Sequence, residues 1–412
     1  MKFMGYKRPG GLTGVRNHVV LIPSVFCAVR TCERIAAQVE GVVALRHPVG
    51  CGQVGYDLEL TARTLKAMGN HPNVAASIVV GLGCERFKPT ELYEGLETSG
   101  KPVAKFVIQD EGGSASTVEK GVKQAKEFVA YANSLKREEC DLSELMVALK
   151  CGGTDATSGL AANPTIGAMS DLLIAQGGSG IFSELNELLG TEDMMANRAI
   201  NKTIAKKIYD AVYYIEEVLR ISCDERFPGR NHLISPGNFD GGVSSIVEKA
   251  LGGVHKSGYS PITDVLEYAV RPEPGQRGLF LMNYESQDGE VSTGMFGCGA
   301  QIVAFTTGRG NPTGFPLAPV LKVTGNGETY MKMKGDFDFD ASGIISDSVP
   351  IKEMGQRFFD LVLRVANGEL TVAEKVNGNE LFCIGRRHGG PHSIIDANRK
   401  RPETAAANCC CM

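Results

Sequence analysis

The chain reads as an α/β protein built from two successive Rossmann-like βα lobes with mostly parallel sheets. Three observations predict this. Short β-branched runs alternate with amphipathic stretches at the spacing of βα units. The composition is that of a folded globular chain, 43% hydrophobic and 22% charged over 412 residues. Glycine is abundant, with 50 residues against a usual share of ~7%. The glycines gather in pairs beside polar residues at the ends of apolar runs, where α/β proteins carry their ligand-binding loops.

In the first lobe, residues 1–137, strands are expected over 19–26, 42–46, 74–82 and 103–108. Helices follow them over 32–39, 58–68, 89–98 and 116–135. The charged stretch 136–141 reads as the boundary between lobes. In the second lobe, residues 138–388, strands are expected over 145–149, 180–183, 279–282, 301–306 and 320–323, and helices over 165–175, 193–219 and 351–367. Residues 223–253 are Gly-rich with little periodicity and read as irregular active-site loops. Residues 389–412 are polar, end in Cys409-Cys410-Cys411, and read as a flexible tail.

Several function classes drop out. With 43 basic and 47 acidic residues the net charge is -4, so no basic surplus is available to neutralise nucleic-acid phosphates. No apolar run reaches 18 residues, which argues against a membrane span. The first residues carry no apolar signal core, so a cytoplasmic location with reduced thiols is expected for the twelve cysteines. There is no CxxC pair, P-loop, GxSxG or HExxH, and no GxGxxG follows the first strand, which disfavours a dinucleotide fold of the usual kind.

In open α/β sheets, ligands bind beyond the carboxyl ends of the strands. Four expected strand ends carry soft or acidic residues: His47 and Cys51, Cys84 and Glu85, the Gln109–Gly113 turn, and Cys151 through Asp155. Imidazole, thiolate and carboxylate together suit iron, manganese or zinc. The plainer alternative is that the thiols are small buried hydrophobes. Arg16, Asn17 and His18 precede the first strand; a guanidinium grips carboxylates and an imidazole moves protons near neutral pH. Thr307, Gly308 and Arg309 follow an apolar strand, and their N–H groups and guanidinium would receive an oxyanion. The alternative is a turn whose glycines only permit φ > 0. Lys249 would serve as a base if burial lowered its pKa; otherwise it is a solvated partner of Glu248.

These motifs, taken in order, resemble the altronate/galactarate dehydratase family along most of residues 5–385. The resemblance is carried by Gly14–His18, His47–Cys51, Val80–Glu85, Cys151–Asp155, Ser158-Gly159, Ala162–Pro164, Pro236-Gly237-Asn238, Glu248-Lys249 and Phe305–Gly310. Each is unspecific alone; the succession is specific. It implies a metal-dependent lyase, commonly with Fe2+, that eliminates water from a sugar acid. The metal ligands would be drawn from His47, Cys51, Cys84, Glu85 and Cys151. Arg16, Asn17, Asp155, Asn238, Thr307 and Gly308 would bind substrate. His18, Lys249 and Arg309 would carry the catalysis, with Arg309 gripping an anionic group. Family members often carry a small N-terminal domain that this chain does not show, which implies a separate small subunit. The related sulfolactate sulfo-lyase is built that way, and its large subunit resembles this chain too, so release of sulfite is the alternative outcome. A homo-oligomer is expected. Two other classes compete: a metal-free enzyme with Cys51 or Cys151 as nucleophile, and a non-catalytic binding subunit. Metal analysis separates the first, and absence of turnover the second.

Overall fold

A computed structural model describes residues 1–220 and 234–387. The first lobe runs β1 (Lys2–Lys7), β2 (Thr13–Gly14), β3 (His18–Pro23), α1 (Phe26–Ala36), β4 (Val42–Ala44), α2 (Gly55–Asn70), β5 (Val74–Gly81), α3 (Pro89–Glu97), β6 (Val103–Val107), α4 (Ser114–Ser134) and β7 (Glu138–Asp141). Its four-stranded sheet has the order β4-β3-β5-β6 and is parallel throughout. Alternation along β3 explains the burial. Val19 and Leu21 face α1 and α4, whereas Val20 and Ile22 face α2 and α3.

The second lobe runs β8 (Met146–Cys151), α5 (Asn163–Ala175), β9 (Ser179–Phe182), α6 (Glu192–Ala196), α7 (Lys202–Arg220), α8 (Pro236–Asp240), α9 (Ile246–His255), β10 (Ile262–Glu267), β11 (Gly278–Asn283), α10 (Asp288–Gly297), β12 (Ile302–Thr306), β13 (Val320–Thr324), α11 (Gly327–Lys332), β14 (Phe339–Asp340), α12 (Gly343–Ser346), α13 (Ile351–Ala366) and α14 (Val372–Lys375). Its seven strands lie in the order β10-β11-β9-β8-β12-β13-β14, again all parallel. Strand alternation repeats here. Leu279, Leu281, Ile302 and Ala304 face an outer core with α5, α7 and α13. Phe280, Met282, Val303 and Phe305 face inward, into the same core as Val20 and Ile22 of the first lobe. The lobes are therefore joined by a shared apolar layer between their two sheets.

The expected rhythm of parallel βα units is present, with five differences. The stretch 136–141 is not a bare connection: β7 pairs antiparallel with β1, Lys2 opposite Asp141, inside a three-stranded β2-β1-β7 sheet. The first helix begins at Phe26, inside the expected strand. The long helix over 193–219 is two helices. The break between them is held by β10, because Ile200 N–H donates to Ile262 O and Asn201 Oδ1 accepts from Ile204 N–H. The Gly-rich region contains α8 and α9, while 221–233 lies outside the described residues, as do 388 and the expected tail 389–412. Finally, β1, β2, β10, β14, α10, α11, α12 and α14 were not expected; α10 is buried on nearly every side and so lacks an amphipathic stripe.

Candidate active site

The seven-stranded sheet reverses its order at β8. From β8 the chain goes to β9, β10 and β11 on one side, then returns to β12 on the other. Such a switch point opens a crevice beyond the carboxyl ends of the two strands. Here those ends are Cys151-Gly152-Gly153 and Thr307-Gly308-Arg309. Their backbones are stitched together: Gly152 N–H donates to Thr306 O at 2.8 Å and Gly308 N–H to Gly153 O at 2.9 Å.

A buried ionic cluster sits at this point. Cys151 Sγ lies 3.5 Å from Glu184 Oε2, 3.7 Å from Glu187 Oε2 and 3.2 Å from Lys256 Nζ. Glu184 is fully buried and left-handed at φ 75°, a conformation that costs a non-glycine residue energy and marks sites held for a purpose. Its carboxylate accepts from Lys150 at 3.2 Å, from the Cys151 N–H at 3.1 Å and from Lys256. Lys150 also reaches Asp288 at 2.5 Å and lies over the Phe305 ring. Lys249 Nζ contacts Glu187 at 3.1 Å, Thr154 Oγ1 at 2.9 Å and Asn238 Oδ1 at 3.4 Å. Three ammonium groups thus face three carboxylates around one thiol. Burial alone would raise the Glu184 carboxyl, but Lys150 and Lys256 outweigh it and hold the group down at about 2. Burial, then the Glu184 charge, pushes the Cys151 thiol up to about 12.

Among the described residues, Cys151, Glu184 and Glu187 form the one group of three metal-ligand types whose donor atoms lie within 4.8 Å of one another. One thiolate and two carboxylates suit iron, zinc or manganese, and three protein ligands leave positions open for substrate.

The expected residues divide accordingly. Cys151 and Lys249 lie in the same cluster, each in contact with Glu187. Arg309 stands at the mouth of the crevice over Gly153, exposed, its backbone N–H donating to Gly153 O at 3.3 Å and its side chain making no hydrogen bond or ion pair among the described residues. Asp155, Asn238 and Thr307 are close by but spent on the loops. Asp155 accepts from Thr157, Ser158 and Asn326, and its carboxylate fills the space a Cβ on Gly308 would need. Asn238 holds the Thr154 N–H, and Thr307 holds Gly153 O and the Gly310 N–H.

The four-strand convergence on one metal is corrected. His47, Cys51, Cys84 and Glu85 belong to the first-lobe sheet, a different sheet from that of Cys151, and none of them joins Cys151 in the group of donors within 4.8 Å of one another among the described residues. His47 Nε2 lies 2.8 Å from Pro23 O, and Glu85 accepts from Ser24 Oγ and the Leu82 and Gly83 N–H groups; both brace first-lobe loops. Cys51 and Cys84 are exposed. The Arg16–His18 cluster is corrected too. It lies at the amino end of β3, tied through Asn73 to Gln301 ahead of β12, the opposite end of the strands from Cys151. Arg16 is consumed by Glu374, Val15 O, Val365 O and Glu369 O, and Asn17 by Ala132 O. Burial pushes His18 down to about 4, so its imidazole is neutral at pH 7.

Sequence reasoning missed Lys150, Glu184, Glu187, Lys256 and Asp288. One signal was readable: Lys150 interrupts the apolar run Met146–Leu149, and a lysine inside a buried strand requires a carboxylate partner.

The chain is similar to known proteins along almost its whole length. The D-galactarate/altronate dehydratase C-terminal domain matches residues 142–388, and the second domain of D-galactarate dehydratase/altronate hydrolase matches 5–133. The β subunit of (2R)-sulfolactate sulfo-lyase from Chromohalobacter salexigens is 37% identical over 391 residues, 93% of this chain and 97% of that protein. Altronate dehydratase from Bacillus subtilis is 36% identical over 92% of this chain and 76% of its own length. Galactarate dehydratase (L-threo-forming) from Escherichia coli is 33% identical over 89% and 73% respectively.

Proposed function

Because this chain belongs to the D-galactarate/altronate dehydratase family, we propose that it is a lyase that eliminates water from a sugar acid in the crevice beyond β8 and β12. The observation that carries this reading is the cluster of Cys151, Glu184, Glu187 and three lysines at the sheet's switch point. Cys151, Glu184 and Glu187 would hold a divalent metal, Fe2+ in this reading, which supplies a Lewis acid for charge developing on the substrate's oxygens.

The elimination removes the proton beside the carboxylate, breaks the C–O bond at the β carbon and releases water; the enol left behind becomes a ketone. Arg309, whose side chain has no partner among the described residues, grips the substrate carboxylate with its two-pronged fork. Lys249 is the acid–base residue. Thr154 and Asn238 aim its amine, and Glu187 at 3.1 Å is its proton partner. Lys150 keeps the interior of the site positive where negative charge develops. A small separate subunit and a homo-oligomer complete the proposed enzyme.

A second reading, release of sulfite from 3-sulfolactate, is supported by the 37% identity across 97% of the sulfo-lyase β subunit. It shares the proton-abstraction step and differs in the leaving group. Anaerobic reconstitution with ferrous iron, with and without a small subunit of the sulfo-lyase type, followed by assays on altronate, galactarate and 3-sulfolactate, separates the two. Turnover of either sugar acid supports dehydration and turnover of 3-sulfolactate alone supports the second reading. No turnover of any of the three sinks both.

A further inference from the structure

We infer that Lys256 is a built-in surrogate cation that occupies the metal's place between Cys151 and Glu184, so that metal loading requires its ammonium group to leave. The inference rests on the reading of Cys151, Glu184 and Glu187 as the metal ligands. It concerns how that site is kept assembled and how loading is controlled.

Lone-pair accounting leads to it. Glu184 Oε1 accepts from Lys150 at 3.2 Å. Glu184 Oε2, the oxygen beside the thiol, accepts from the Cys151 N–H at 3.1 Å and from Lys256 Nζ. The Cys151 Sγ lies 3.5 Å from the same oxygen, so three groups crowd an sp² oxygen that offers two lone pairs, and Lys256 holds one of them. The same Lys256 Nζ lies 3.2 Å from Cys151 Sγ, so it sits between two of the three donor atoms. A metal ion would bond to each at only ~2.0–2.3 Å. Two cations cannot share that space, nor can they share the second lone pair of Oε2. The Cys151 N–H is fixed by the β8 backbone, and Lys150 is pinned on its other side by Asp288 and Phe305. Of the groups on Glu184, Lys256 alone has both the position and the free side-chain torsions to move aside.

The arrangement places one ammonium group against the thiol and a buried carboxylate of the cluster. Lys256 supplies the positive charge that keeps Glu184 at φ 75° and prevents the anions from separating. It acts through the ligands and is a positioning residue.

The test uses zinc alone as probe, titrated calorimetrically into the metal-stripped full-length chain under reducing conditions. Wild type, Cys151→Ser and Lys256→Met are compared. Lys256→Met should bind zinc at least tenfold more tightly than wild type, while its metal-free form melts at a lower temperature. Unchanged or weaker zinc binding by Lys256→Met would overturn the inference and make Lys256 a supporting neighbour of the bound metal. Cys151→Ser keeps the two claims apart. If it binds zinc as well as wild type, the ligand assignment itself fails; if it binds more weakly while Lys256→Met gains nothing, only the surrogate role fails. Should Lys256→Met not fold, amine labelling of the wild-type chain decides, because it needs no variant. Acetylation of Lys256, read by mass spectrometry, should rise several-fold on zinc loading, and equal protection with and without zinc would overturn the displacement.

Discussion

At the scale of single residues, two arginines that look alike in the sequence have opposite jobs. The Arg309 side chain has no partner among the described residues and stands at the crevice mouth; the Arg16 side chain is buried in five hydrogen bonds to Glu374 and three backbone carbonyls. Arg309→Lys retains the charge but loses the fork, so kcat/KM should fall roughly 10- to 100-fold, the loss of one charged hydrogen bond of ~1.5–3 kcal/mol, with melting temperature unchanged. Kinetics close to wild type would remove Arg309 from the substrate site. Glu184 gives the pH prediction. Its folded-state pKa is depressed to about 2, below the ~4.3 of an unfolded glutamate. The stabilisation it contributes is therefore complete above about pH 4.3 and disappears as pH falls through the folded value. Glu184→Gln, which leaves two buried lysines short of a carboxylate, should cost about 3–5 kcal/mol in urea unfolding at pH 7. The gap between variant and wild type should narrow at pH 3, and a gap independent of pH would contradict the assignment. Cys151 and Lys249 were legible in the sequence because they sit in motifs at a strand end and beside a polar turn. Glu184 was not, because its chemistry depends on a left-handed backbone and on lysines from β8 and from the end of α9, which no local pattern reveals.

At the scale of elements, the site depends on how closely α5 meets the end of α9. A Cβ on Gly167 would lie 2.1 Å from His255 O and 2.9 Å from Gly258 N, both backbone atoms that bracket Lys256. Gly167→Ala should therefore cost at least ~1–3 kcal/mol and shift Lys256, lowering melting temperature and activity together. An alanine variant with wild-type stability would show that α5 and α9 can part without consequence. The same close packing explains the limits of pattern reading. Amphipathic α4 and α13, and β-branched β3 and β5, bury one face or an unbroken run and were readable. The break between α6 and α7 was not, since Ile200 pairs with β10 more than 60 residues later. Nor was α10, whose small residues are buried on all sides in the layer between the sheets.

At the scale of the whole molecule, the two lobes share one apolar layer and are fastened at its rim. Arg16 of the first lobe grips Glu374 of α14, and Arg386 near the end of the described chain grips Asp57 of α2 at 2.8 Å. Removing the first link should weaken the assembly without touching the chemistry. Arg16→Met, leaving Glu374 partly buried and uncompensated, should cost about 3–5 kcal/mol, while KM of the folded fraction stays at the wild-type value. A raised KM with unchanged stability would return Arg16 to the substrate site. The order of folding on the ribosome follows from the β1–β7 ladder. Lys2 finds Glu139 only 137 residues later, which at ~5–20 residues per second is a delay on the order of ten seconds. Throughout that interval β1 has emerged with its edge unpaired and Phe3 uncovered. A chain whose residues from Glu138 on have not yet emerged therefore exposes an open strand edge, the kind of template on which chains aggregate, and the emergence of the four residues of β7 is what closes it.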